Sequence, residues 1–191
     1  MAVKSLLWIL DDMTLGTLAN CVKLDVRKPW PNGQLAVMDA TAKAAEGPDP
    51  RGLKSNRKSL LSARRSNSKV FQVLDVPVEG PAAEMLYSHL RAGEKQDANL
   101  AEHQAIAWAA NSQRKAVLVT QDQRAAMTAL SELGRERVAH PVDLWLFLRR
   151  AKCISEKDFD ALCNASAKKD KGLPGLPRRV RGVGSRVEIA I

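Results

Sequence analysis

The sequence predicts an α/β fold, a three-layer sandwich in which helices flank a central, mainly parallel sheet. Two observations carry this. Short apolar runs of four to six residues alternate with stretches of helical periodicity. The runs are also apolar at consecutive positions rather than at alternate ones, which is how strands covered on both faces read. Ser5–Leu10 is the first run, ending at Asp11 and Asp12. Leu15, Leu18 and Val22 follow at helical spacing, and Pro29, Pro31, Asn32 and Gly33 break the chain. Leu35–Met38 predicts a second strand, leading into an alanine-rich helix that stops at Gly47–Pro48. Val70–Val76 predicts a strand closed by Pro77, and Pro81–Arg91 a helix with Gly93 just past its end. Residues 100–111 are strong helix formers, Ala116–Thr120 is a strand, and Ala126, Leu130 and Leu133 form a helical stripe ended by Gly134. A brief strand near Val138 precedes Pro141, which suits the first turn of a helix running to Arg150. Ser155 with Asp158 has the form of a capping box, opening a last helix through Leu162.

The chain has 191 residues, enough for one domain with a real core and no disulfide staples. We divide it into a domain over 1–163, carrying a basic insertion at about 49–69, and a basic tail over 164–191 with interspersed Gly and Pro. The 45% hydrophobic content excludes a wholly disordered chain, and 4% aromatics argue against a base-stacking sheet. Thirty Lys plus Arg against 21 Asp plus Glu give a net charge of +9, which favours a polyanionic partner, nucleic acid before an acidic membrane surface. The excess concentrates in two places. Arg51, Lys54, Arg57, Lys58, Arg64 and Arg65 lie in the insertion, and Lys168, Lys169, Lys171, Arg178, Arg179, Arg181 and Arg186 in the tail. We expect the first group to contact nucleic acid through phosphates, which give affinity with little sequence information. The ordinary fate of such runs is a solvated face or a mobile tail. No apolar run approaches the roughly 20 residues that span a bilayer. Three widely spaced cysteines, Cys21, Cys153 and Cys163, form no paired framework and fit a reducing, cytoplasmic setting.

Three acids stand where chemistry would want them. Asp11, with Asp12 beside it, ends the first strand, and Asp122 lies just past the strand Ala116–Thr120. Ligands of open α/β sheets bind outside the carboxyl ends of the strands, so parallel neighbours would bring these acids together. Glu102 shares a helix stripe with Ile106 and Ala109, which puts its carboxylate at the edge of the core. A buried carboxylate needs a counter-charge, and hard oxygen ligands suit Mg²⁺ or Mn²⁺. Each acid also has a plain structural reading: a helix N-cap for the aspartates, a dipole-favoured first-turn acid for Glu102. By the same logic His103, about 100° around the helix from Glu102, is expected at the surface. Trp30 is the one loop aromatic placed for base stacking, Asp97 an exposed loop acid, and Thr120 a residue that could orient Asp122.

The sequence resembles the PIN-domain nucleases over roughly residues 5–162. LLWILDDMTLGTLA resembles that family's first strand and aspartate, with Asp11 and Leu15 in register. AEHQAIAWA resembles its acid-bearing helix with Glu102 at the acidic position, VLVTQDQRA its strand, threonine and aspartate at Asp122, and VDLWLFLRRAKCISEKDF its closing helix pair. The resemblance implies a metal-dependent endoribonuclease that leaves a 5′-phosphate. Asp11, Glu102 and Asp122 would be catalytic and hold Mg²⁺ or Mn²⁺, with Asp12 a further ligand. It also implies a homodimer, and a protein inhibitor if the chain is the toxin of a toxin–antitoxin pair. One departure stands out: the family's Glu in the helix after the second strand falls near Ala44, with only Glu46 close by. That gap favours the alternative, a non-catalytic RNA-binding or assembly module of the same fold. A receiver-like domain would need Asp75 at the end of a middle strand.

Overall fold

The computed structural model describes residues 6–22, 35–47, 56–58, 71–93, 99–169, 180–183 and 186–189. Five strands form one sheet: β1 (Leu7–Leu10), β2 (Leu35–Met38), β3 (Phe71–Leu74), β4 (Ala116–Val119) and β5 (Val138–Ala139). They lie in the order β3-β2-β1-β4-β5, and every pairing is parallel. The helices are α1 (Asp12–Cys21), α2 (Asp39–Glu46), α3 (Pro81–Glu84), α4 (Leu100–Asn111), α5 (Gln123–Leu133), α6 (Pro141–Arg150) and α7 (Glu156–Lys169). The α/β three-layer sandwich expected from the sequence is the observed architecture.

The apolar runs explain which strands are central. All four residues of β1, β2 and β4 are buried, whereas β3 is buried only at its ends and β5 is half-buried. Alternation divides each strand between two cores. Trp8 and Leu10 join Leu15 and Leu18 of α1, Trp145 of α6 and Phe159 of α7 on one face. Leu7 and Ile9 join Met38, Leu86, Ile106 of α4 and Ala129 of α5 on the other.

The helix ends follow the expected chemistry. The Ser155 hydroxyl receives the Asp158 N–H, and the Asp158 carboxylate receives the Ser155 N–H, both at 3.1 Å. Pro141 occupies the first turn of α6. Three details differ from expectation. The segment after Pro81 is α-helical only to Glu84 and continues over Met85–Leu90 as a π-helix, with the Arg91 N–H reaching back to the Leu86 carbonyl. The last helix passes Leu162 and ends at Lys169, since Asn164–Lys169 contains no breaker and its two lysines suit the C-terminal dipole. Within the tail, β6 (Val180–Val183) and β7 (Arg186–Ile189) pair antiparallel.

Chain order reverses at the middle of the sheet. From β1 the chain builds outward to β2 and β3, then returns to β4 on the other side of β1. The crevice outside the carboxyl ends of β1 and β4 is therefore the topological switch point. Asp75 follows β3 at the sheet edge, two strands from Asp11, which removes the receiver-like reading. No helix among the described residues is long and apolar enough to cross a membrane.

Candidate active site

Register builds the site. β1 and β4 pair with Leu10 opposite Val119, so the next residues, Asp11 and Thr120, emerge side by side. The Asp11 N–H continues the ladder to the Val119 carbonyl at 3.2 Å. Asp11 then turns the chain into α1 as its N-cap, accepting the Thr14 N–H on Oδ1 at 2.6 Å. Its other oxygen, Oδ2, accepts the Thr120 hydroxyl at 2.5 Å. The same hydroxyl oxygen receives the Asp122 N–H at 3.1 Å. Asp122 caps α5, accepting the Ala125 N–H at 2.9 Å.

Thr120 is thus the joint between the two aspartates. The sequence allowed it to orient Asp122, and it does fix that backbone, but its hydroxyl proton goes to Asp11. A Thr after a buried strand gives no sign of which neighbour it will serve. The plain N-cap role is real for both aspartates and does not exhaust them: capping takes Oδ1 of each, and Asp122 is solvent-exposed.

Asp11 is only 6% exposed. Burial pushes its carboxyl above the ordinary 3.8, against the lowering effect of the Thr120 and Thr14 bonds, and the neighbouring Asp12 pushes the same way. Glu102 stands in the first turn of α4, which lies on the sheet through Ala105, Ile106 and Ala109. Its carboxyl is also raised, first by burial and then by the negative charges of Asp11, Asp122 and Asp12. Asp11, Asp12 and Asp122, from the first turn or caps of α1 and α5, are thus near enough for their charges to act on Glu102 in the first turn of α4. Asp12 is half-exposed and pairs with Arg57 at 3.0 Å.

The donor set is all carboxylate oxygen, and two members resist ionisation for want of a counter-charge. Both properties fit a hard divalent cation. Among the described residues, no three His, Cys, Asp or Glu side chains form a group able to hold an ion. The missing helix Glu is not replaced either, since Ala44 and Glu46 are both exposed on α2. Asp39, which opens α2 directly after β2, is instead held by Lys43 at 2.6 Å.

Of the basic candidates, Arg57 pairs with Asp12 and Lys58 is exposed next to it. Arg51, Lys54, Arg64 and Arg65 lie outside the described residues, as do Trp30 and Asp97. His103 corrects an expectation. It is 6% exposed rather than on the surface, because α4 is packed by α2, α3 and α5 as well as by the sheet. Compared with known protein families and with curated proteins, the chain matches none.

Proposed function

We propose that the protein is a metal-dependent ribonuclease, with Asp11, Glu102 and Asp122 at its centre and Asp12 beside them. The observation that supports this best is Glu102. A helix acid with only a structural role would turn to solvent, yet this one is half-buried in the field of three aspartates at the switch point of the sheet. Bound there, Mg²⁺ or Mn²⁺ would activate a water and offset charge on the scissile phosphate.

The chain's own residues prepare that site. Thr120 holds Asp11 in one orientation, and the N-terminus of α1 favours its ionised form. The cap of α5 fixes one oxygen of Asp122 just past β4, the strand beside β1. Burial keeps Asp11 and Glu102 poorly solvated, so a cation gains more from them than from exposed acids. Arg57 and Lys58 supply positive charge at the rim, where RNA phosphates would otherwise be repelled. The resemblance to PIN-domain nucleases supports the same reading, which carries with it a cytoplasmic setting, a homodimer and, for a toxin, a protein inhibitor.

A second reading, a non-catalytic RNA-binding module, is favoured by the spread of the carboxylates and the absent helix Glu. Incubating several RNAs with the protein and Mg²⁺ or Mn²⁺ separates the two. The nuclease reading expects cleavage by the wild type, lost in Asp11→Asn and Asp122→Asn. A well-folded wild type that cleaves none of the RNAs in either metal would sink it.

A further inference from the structure

Gly16 lies in the middle of α1, one turn after Asp12, where a glycine weakens the helix. It has no turn to make there. The space its missing side chain leaves is filled by Arg57: a Cβ at Gly16 would stand 2.7 Å from Arg57 Nε and 2.9 Å from Cζ, and closer still to Nη2. The guanidinium therefore meets the helix with the edge that carries Nε and Nη2. Its Nη1 donates to Asp12 Oδ1 at 3.0 Å. Next to it, Asn56 donates from Nδ2 to Asn20 Oδ1 at 3.0 Å, so residues 56 and 57 dock along one face of α1. The seat is imperfect. Arg57 Nε is buried and has no hydrogen-bond partner among the described residues, which disfavours the docked state. A half-exposed ion pair offsets this only in part. A guanidinium bound to a carboxylate on one side and unsatisfied on the other is readily taken by a phosphate, which offers it two oxygens.

We propose that Arg57 is an exchangeable clamp: seated on Gly16 it neutralises Asp12 in the free protein, and an arriving RNA phosphate draws it off, releasing Asp12 to the cation site. This rests on the reading of the acids as a cation-binding nuclease centre and adds substrate-linked control to it. Two substitutions separate its parts. Gly16→Ala removes the seat and keeps every charge, since the three atoms nearest the new Cβ all belong to the flexible Arg57 side chain. Arg57→Gln removes the clamp itself.

The experiment titrates Mn²⁺ alone into wild type, Gly16→Ala, Arg57→Gln and Asp11→Asn by calorimetry. Binding of a single-stranded RNA in EDTA is then followed by fluorescence anisotropy. Gly16→Ala and Arg57→Gln should both tighten Mn²⁺ binding, by roughly two- to fivefold, the range that loss of a half-exposed ion pair spans. They should part on RNA: Arg57→Gln binds it more weakly, while Gly16→Ala binds it as well as or better than wild type. If both leave Mn²⁺ affinity unchanged while Asp11→Asn abolishes it, the cation site stands and the clamp is overturned. Equal loss of RNA affinity in the two variants also overturns it, because the seat would then be presenting Arg57 to RNA rather than withholding it. Absence of Mn²⁺ binding in all four proteins removes the site and the clamp together. Arg57→Gln alone carries the Mn²⁺ comparison if Gly16→Ala does not fold.

Discussion

Replacing Thr120 by Val keeps the shape of a fully buried side chain and deletes one hydroxyl. That hydroxyl makes two contacts: it donates to Asp11 Oδ2 at 2.5 Å and accepts the Asp122 N–H at 3.1 Å. Where Asp11 is ionised the first is a charge-assisted bond, worth about 1.5–3 kcal/mol, and the second leaves a part-buried N–H without its acceptor. Where Asp11 is protonated the first bond is between neutral groups and worth about 0.5–1.5 kcal/mol. The loss should therefore grow with pH. It is smallest in acid, rises as Asp11 ionises in the wild type, and levels off once both proteins carry the charge. Thr120 lowers the Asp11 pKa, so the variant ionises later than wild type, which sets the direction of this widening. Denaturant melts of wild type and Thr120→Val across a pH series would measure it from the shift in midpoint at constant slope. Thr120→Ser, which keeps the hydroxyl, should show a smaller loss that does not vary with pH. A Thr120→Val deficit below about 0.5 kcal/mol throughout, or one flat with pH, would mean that Thr120 does not hold the Asp11 carboxylate, since a charge-assisted bond to a buried carboxylate is worth more than that.

Other outcomes follow from the same geometry. The folded-state pKa of Asp11 is raised above its ordinary 3.8, so between the two values the native state holds a proton that the unfolded chain has lost. Stability contributed by Asp11 therefore falls as pH rises through that window. Asp11→Asn lacks this dependence, so thermal melts should show its stability relative to wild type improving from acid toward neutral pH. A relative stability that declines over the same range would contradict the sign. Ser166→Ala should lose about 1–3 kcal/mol and alter tryptophan emission, because the buried Trp145 indole N–H donates to Ser166 Oγ at 3.0 Å; unchanged melting and emission would count against that contact. Burial pushes the Cys163 thiol up to about 12, and the side chain is fully buried. A thiol reagent at neutral pH should modify the partly exposed Cys21 first and reach Cys163 only on unfolding. Equal native reactivity of the two would contradict that burial.

The sheet was legible because its strands are signalled locally. LWIL, LAVM and AVLV are four-residue apolar runs, and each became a central strand with both faces covered. The site aspartates were legible for the same reason, since strand ends are where parallel sheets present ligands. What escaped the sequence depends on contacts between distant residues. Thr120 turns to Asp11, 109 residues away, because the β1–β4 register places them side by side. His103 is buried because α4 has neighbours on several sides, which its own alanine-rich periodicity does not reveal. Gly16 gave a usable sign, a glycine inside a helical stripe, but its partner Arg57 sits 41 positions on in a basic insertion expected to contact nucleic acid rather than the protein's own helix. The π-helical turn after Glu84 changes the hydrogen-bond partner by one residue, a choice that propensity does not make.

The proposed nuclease centre requires that Asp11, Glu102 and Asp122 bind a divalent cation together. Crystals soaked in Mn²⁺ test it most directly through anomalous scattering. An anomalous peak should appear in contact with the carboxylates of Asp11, Glu102 and Asp122, and be absent in Asp11→Asn crystals. Saturating Mn²⁺ with no peak there, or with one only at other residues, would contradict it.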